Sequence, residues 1–411
     1  MNANTLVITG MGAITPVGLG VKAYWDGLIT GKCGVGRITR FDASDLPVQI
    51  AAELKGFDPA DFMPKTLART MSPFMQFAYA AAEEAITDSG LAIEQESDRV
   101  GIVMGTAMDG VTTVADTQAA YDAGHKVGPR FVPMTIGNIA AAQIAIVHGI
   151  RGPSFTLNTA CSAGGDAIMT AAMLLRSGEA DAVLAVGGES ILCSIVVAGL
   201  AQAKALSRRN DDPEQACRPF DLDRDGFVIG EGGGALVIET LEHALARGAR
   251  IHAVLAGYAN TSDAHHVTAP CPDGAGAAAC MKRALARAGM QPSDIGYINA
   301  HGTSTKLGDK AETLAIKAVF GDRESVPPIS ATKSATGHLM GAGGLTEAIA
   351  CIKAIQEGIL PPTLHLDTPD PDCDLDYVPN VARKAQIHAA MTNSLGFGGQ
   401  NSSIILSRYE G

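Results

Sequence analysis

Four short stretches carry side chains able to do covalent chemistry on a carbonyl group. They are Leu157-Asn158-Thr159-Ala160-Cys161-Ser162-Ala163-Gly164-Gly165, Asn299-Ala300-His301-Gly302-Thr303-Ser304-Thr305, Ser330-Ala331-Thr332-Lys333-Ser334-Ala335-Thr336-Gly337-His338 and Asn393-Ser394-Leu395-Gly396-Phe397-Gly398-Gly399-Gln400-Asn401. In the first, Phe155 to Thr159 has the pattern of a short strand. Ile168, Ala171, Ala172 and Leu175 recur at helical spacing, so Cys161 falls where a strand hands over to a helix. That is a nucleophile's position. Free N–H groups and the positive end of the helix dipole predict a thiol pKa below the ordinary value of roughly 8.5. The small neighbours Ala160, Ser162, Ala163 and Gly164 predict room for a substrate carbonyl beside the sulfur. A lone loop histidine is an ordinary structural residue. Three polar loops together with a helix-start cysteine predict a catalytic constellation.

The elements that must position these groups alternate. Strands are predicted at Thr5–Thr9, 99–104, 182–186, 235–238, 253–255, 295–298, 329–331 and 403–406, and helices at 71–88, 136–146, 275–288, 310–319 and 345–356. Strands alternating with helices indicate an α/β layered fold, and the second half repeats the logic of the first. Gly10-Met11-Gly12-Ala13-Ile14-Thr15-Pro16 lacks the third glycine of a dinucleotide fingerprint, so it is expected to be a glycine-rich turn. Asp221-Leu222-Asp223-Arg224-Asp225-Gly226 has Gly232 where a calcium loop needs its bidentate glutamate, which leaves a hydrogen-bonded structural turn.

The whole chain bounds the function. Its 411 residues are 46% apolar and 18% charged, ample for large buried cores. The net charge of -12 disfavours a nucleic-acid surface, and any acidic partner needs a local basic patch. No apolar run reaches the ~18 residues of a membrane helix, and the start Met1-Asn2-Ala3-Asn4 lacks the basic residues of an export signal, so a cytoplasmic protein is expected. The eight cysteines form no C-x-x-C pair, which predicts free thiols and no metal site.

Asn-Thr-Ala-Cys161-Ser, Asn-Ala-His301-Gly-Thr-Ser-Thr, Thr-Lys333-Ser-Ala-Thr-Gly-His338 and Gly396-Phe397-Gly398-Gly399 with Asn401, in this order, resemble the motifs of the β-ketoacyl-[acyl-carrier-protein] synthases, the synthase II type in particular. The turn from Pro219 to Gly230 and Thr9-Gly10-Met11-Gly12 are similar to further family signatures, and the resemblance spans essentially the whole chain. It implies the thiolase-like fold, five layers α-β-α-β-α in two pseudo-duplicated halves (1–250 with the cysteine, 251–411 with the histidines and lysine), and a homodimer. The implied reaction is a decarboxylative condensation. An acyl chain held on Cys161 is extended by two carbons from malonyl-acyl-carrier-protein, with no cofactor beyond the carrier's phosphopantetheine.

The resemblance also distributes roles. Cys161 carries the chain, because a thiolate is both a good nucleophile and a good leaving group. The backbone N–H groups of Cys161 and Phe397 form the oxyanion hole, neutral His301 and His338 stabilise the enolate, and Lys333 sets the local field with Glu347 and Asp309 in support. Thr303, Thr305, Thr268 and Gly399 are implied substrate contacts. Met108 is the implied far end of the acyl pocket, and Phe397 its gate. Lys65, Arg69, Lys126, Lys204 and Arg208 fall near the family's carrier-docking positions. His125 and Thr70 stand where the family often has basic residues, and Leu395 and Gln400 replace its usual Phe and Thr.

Related readings are separable by residue. A thiolase needs a second cysteine in its last glycine-rich loop, where Ser394 to Ser402 has none; a synthase III pairs its cysteine with His and Asn; a chain-length factor lacks the cysteine. The catalytic subunit of a type II polyketide or aryl-polyene pathway shares every motif and is the alternative. A non-enzymatic acyl-binding scaffold is separable by whether Cys161 takes label from a thiol-reactive acyl mimic.

Overall fold

The structure, a computed structural model, describes residues 5–411. Leaving aside the short elements and the helices Val21–Ile29, Val111–Asp122 and Ser194–Gln202, the first half runs β1 (Leu6–Thr15), α1 (Pro73–Ser89), β2 (Val100–Gly105), α2 (Asn138–His148), β3 (Ser154–Leu157), α3 (Ala163–Arg176), β4 (Ala182–Glu189) and β5 (Gly232–Thr240). The second runs β6 (Ala253–Ser262), α4 (Ala275–Ala288), β7 (Tyr297–Asn299), α5 (Lys306–Phe320), β8 (Ile329–Ser330), α6 (Gly343–Glu357), β9 (Ala389–Gly396) and β10 (Gln400–Ser407). Among these elements the order of strands and helices is the same in both, and the three further helices are additions to the first half.

So is the topology. The first half of the sheet is ordered β3-β2-β4-β5-β1 and the second β8-β7-β9-β10-β6. In each, the first two neighbouring pairs are parallel and the next two antiparallel. The halves meet edge to edge where Leu6, Val7 and Ile8 pair with Leu255, Val254 and Ala253. This is the thiolase-like duplication, visible in connectivity though not in residue identity.

Packing supplies the layers. Helices α1 and α2 cover the outer face of the first half-sheet and α4 and α5 that of the second, while α3 and α6 lie between and touch strands of both. Ile168, Ala171 and Leu175 of α3 meet Ile349 and Ile352 of α6 in a core that also takes in Ile8, Leu236, Leu255 and Ile404. Among the described residues no helix is long and apolar enough to cross a membrane.

Two glycine-rich segments depart from expectation. Gly10 to Thr15 is not a turn but the continuation of β1, buried along its whole length. A Cβ at Gly10 or Gly12 would strike the carbonyl oxygens of Ala85 or Ala81, so the glycines let α1 lie directly on the strand. The last polar loop is likewise mostly strand: Asn393 to Gly396 belongs to β9, and only Phe397, Gly398 and Gly399 form the turn into β10.

Candidate active site

A cavity of about 700 Å³ opens between the two halves and is lined by Cys161, His301, His338, Phe397, Met108, Thr268, Thr303, Thr305 and Lys204 together. Residues spread over nearly 300 positions of sequence thus share one wall. Lys333 stands behind that wall and does not reach it. Gly399 does not either; with φ at 70° it shapes the turn against Asp263, so its implied role as a substrate contact becomes a backbone role. Lys65 on the short helix Lys65–Ala68 and Arg69 at its C-cap, and likewise Lys126 and Arg208, are exposed away from the lining.

Cys161 sits in a tight turn, Ala160 to Ser162, just before α3. Ala160 takes a left-handed backbone at φ 51°, as do Ser304 (70°) in the His301 loop and Met340 (46°) after His338. Such conformations cost of order 1–3 kcal/mol each and persist only where the surroundings hold them. The small residues beyond the cysteine serve the fold more than the substrate. A Cβ at Gly164 would come within 2.7 Å of the Gly341 carbonyl oxygen, and one at Gly344 within 2.6 Å of the Gly165 nitrogen. The starts of α3 and α6 therefore meet backbone to backbone, which is what brings the cysteine of one half beside the histidines of the other. Of the small neighbours only Ala160 reaches the cavity.

The thiol itself corrects the expectation of a lowered pKa. Burial pushes Cys161 up to about 11; the backbone N–H groups of Phe397 and Cys161, and the charge of Lys333, pull the other way without overcoming it. Desolvation, invisible in a linear sequence, outweighs the helix end. The same two N–H groups reach the sulfur, and the Gly396-Phe397 turn packs on the Cys161 turn, with a Gly396 Cβ only 3.3 Å from the Cys161 nitrogen.

His301 and His338 face each other edge to face, ring centres 5.3 Å apart. Nδ1 of His338 accepts the Met340 N–H at 3.2 Å, leaving Nε2 to carry the proton. Nδ1 of His301 is buried without a partner. Burial, and then the positive charge of Lys333, hold both imidazoles well below the usual histidine range, so both are neutral at physiological pH. Lys333 forms an ion pair with Glu347 that is almost wholly buried on both sides. Burial pushes the Glu347 carboxyl up and Lys333 restrains it.

Four further groups hold the loops. Glu312 accepts the N–H groups of His301 and Gly302, both at 2.8 Å, and burial pushes it up to about 7. Glu189, also pushed up to about 7 by burial, accepts from Ala107 (2.6 Å), Met108 (3.2 Å) and Gly341 (3.1 Å). Asp309 does not join the Lys333 network. It accepts from the Phe220 and Ser304 N–H groups at 2.8 and 3.1 Å and lies 3.4 Å from Arg224. The Pro219–Gly230 turn is structural, as expected: Asp221 is occupied by Arg218 and by the N–H groups of Asp223, Asp367 and Thr368. Its end pins the second histidine, since His338 N–H donates to Val228 and Gly230 N–H to His338. Glu312 and Glu189 were legible in principle. Asp309, Glu312, Thr313 and Ile316 lie on one buried face of α5, and Glu189 ends a wholly buried strand; an acid at an apolar position marks a group that must be hydrogen-bonded.

Fold and site together are those of a condensing enzyme. Residues 3–244 match the family described as Beta-ketoacyl synthase, N-terminal domain, and residues 252–367 match Beta-ketoacyl synthase, C-terminal domain. The chain belongs to this family. Within it, the chain is 46% identical over 408 residues, covering 98% of both, to the 3-oxoacyl-[acyl-carrier-protein] synthase 2 of Synechocystis sp. strain PCC 6803. A crystal structure of a beta-ketoacyl synthase from Burkholderia phymatum STM815 superposes with a TM-score of 0.91 at 35% identity, covering 99% of this chain and all (100%) of that one. A type II PKS ketosynthase in complex with its acyl-carrier protein, bound to the hexaketide, superposes with a TM-score of 0.88 at 32% identity over 99% of each.

Proposed function

We propose that the protein is a β-ketoacyl-[acyl-carrier-protein] synthase of the synthase II kind. It extends an acyl chain held on Cys161 by two carbons taken from malonyl-acyl-carrier-protein. The observation that carries this reading is the shared cavity wall of Cys161, His301 and His338, with His338 a fixed neutral donor.

The residues account for each step. The buried Cys161 thiol is protonated at rest, so its proton leaves as sulfur attacks the incoming thioester; the unpaired Nδ1 of neutral His301 marks it as the imidazole able to take that proton. The tetrahedral oxyanion meets the Cys161 and Phe397 N–H groups, and as it collapses the carrier sulfur takes the proton from His301 and departs as a thiol, leaving the acyl chain on the Cys161 sulfur and His301 neutral. Loss of one such donor costs on the order of 3 kcal/mol. In the second half-reaction the C–C bond to the malonyl carboxylate breaks and carbon dioxide leaves. The enolate oxygen accepts from Nε2–H of His338 and from His301. The enolate carbon then attacks the acyl carbonyl, a new C–C bond forms as the C–S bond to Cys161 breaks, and the released thiolate takes a proton from water to return to its resting thiol.

The wall near the sulfur favours a hydrocarbon chain over a poly-ketone. Ile191, Leu200, Phe227 and Met340 offer no donor, and each unpaired ketone oxygen there would cost about 1–3 kcal/mol. The substrates ride on phosphopantetheine, whose amides find the Thr303 and Thr305 hydroxyls, and the reaction asks for no further cofactor. An acidic acyl carrier protein docks through Lys65, Arg69, Lys126, Lys204 and Arg208; the solved ketosynthase complex with its carrier supports such a partner. The active form is a homodimer. The terminal strand β3 carries Phe155, 49% exposed, and Ile136, Ile146 and Met108 of the same half are further apolar side chains exposed in a single chain. Eight free cysteines suit the reducing cytoplasm. The test is to supply acyl carriers of graded length with malonyl carrier and weigh the products by mass spectrometry. Products two carbons longer are expected, and their absence at every length would refute the reading.

A further inference from the structure

The phosphopantetheine arm ends in a phosphodiester, a fixed negative charge that must come to rest where the cavity opens. Two lysines that line the cavity are exposed, Lys204 from the first half and Lys306 from the second. Five lysines elsewhere, Lys22, Lys310, Lys317, Lys333 and Lys353, pair with carboxylates. Among the described residues Lys204 and Lys306 do not. The nearby acids are partly engaged, Asp225 by the Arg208 N–H at 3.0 Å and Asp263 by Asn401 at 2.7 Å and the Cys271 N–H at 3.1 Å.

Both lysines are held by their backbones. Lys204 takes the left-handed region at φ 56°, a costly conformation for a side-chain-bearing residue. The carbonyls of Thr305 and Lys306 accept from the buried Arg224 guanidinium at 3.2 and 3.0 Å, and Arg224 is itself anchored on Asp370 at 2.6 Å. Lys306 therefore presents a flexible cationic head from a rigid base and lines the same cavity as the Thr303 and Thr305 hydroxyls, which lie 3.1 Å from each other. Resting on the functional reading above, we propose that Lys306, with Lys204 of the same cavity, binds the phosphodiester of the phosphopantetheine arm and makes the enzyme prefer phosphorylated pantetheine thioesters. The interaction is a charge-assisted contact in a partly solvated site, so it weakens with salt.

The probe is acylation of Cys161, followed by mass, from an acyl-phosphopantetheine and from the matching acyl-pantetheine that lacks the phosphate. The quantity read is the ratio of their kcat/KM values. In the parent protein the ratio favours the phosphorylated thioester and shrinks as salt rises. Lys306→Ala is expected to lower the ratio by roughly tenfold, and Lys306→Arg to preserve it. A ratio unchanged by Lys306→Ala would overturn the proposal. So would a defect seen only with whole carrier protein, since the carrier's own carboxylates would then be the partner. A parent protein acylated by neither thioester would instead overturn the functional reading on which this one rests.

Discussion

The backbone N–H of Met340 donates to Nδ1 of His338 at 3.2 Å, and this one contact decides which face of the imidazole can act as a donor. The proton is left on Nε2, at the cavity. The first prediction follows: His338→Ala lowers malonyl decarboxylation by about a hundredfold or more, the size expected for losing one oxyanion donor. Carbon dioxide release at the parent rate would refute the role.

Cys161 carries the second prediction. Its thiol is raised to about 11 by burial, so below that pH the reactive thiolate fraction grows with pH. Carboxamidomethylation of Cys161 should therefore quicken about tenfold per pH unit between pH 7 and 10. A rate already level at pH 7 would mean that the N–H groups and Lys333 win over desolvation. Cys161→Ala should abolish condensation and leave the fold intact.

The Lys333–Glu347 pair gives a third. Lys333→Ala strands a buried carboxylate and should cost about 3–5 kcal/mol in denaturant unfolding, whereas Lys333→Met with Glu347→Gln should recover much of it. The double variant also removes a positive charge that opposes imidazolium formation, so the histidine pKa values rise. The acid limb of the decarboxylation profile should then move to higher pH. An unmoved limb would assign the depression to burial alone.

What could be read from the chain without coordinates has a physical boundary. Cys161 was legible as a helix-start nucleophile and the loops of His301, Lys333 and His338 as its polar companions, while their separate roles came from the family resemblance. Helix α4 was legible end to end, since its amphipathic pattern runs cleanly into the Gly289 cap. What was not legible depends on a second segment. Gly10 and Gly12 look like a turn until α1 is laid on β1, Gly164 looks like substrate room until it meets Gly341, and the Cys161 pKa turns on burial by loops far away in sequence. Gly399 was assigned to substrate by motif alone, and its left-handed backbone beside Asp263 explains the glycine without any ligand.

Glu312 joins stability to the site in one residue. It is buried under the His301 loop, and its carboxyl is pushed up to about 7 although it accepts two backbone N–H groups. A carboxyl whose folded pKa lies above its unfolded value of about 4.5 favours the folded state at low pH. That contribution is lost as pH climbs from about 4.5 to about 7, by an amount on the order of 3 kcal/mol. Glu312→Gln cannot ionise, so the difference in unfolding free energy between the variant and the parent should shift in the variant's favour across this window. Gln offers one accepting oxygen for two N–H groups, so the His301 loop loses a partner at every pH and condensation should fall even where the variant is the more stable protein. A variant whose stability tracks that of the parent from pH 5 to pH 8 would show that Glu312 stays ionised in the folded state, held by its N–H partners in spite of burial.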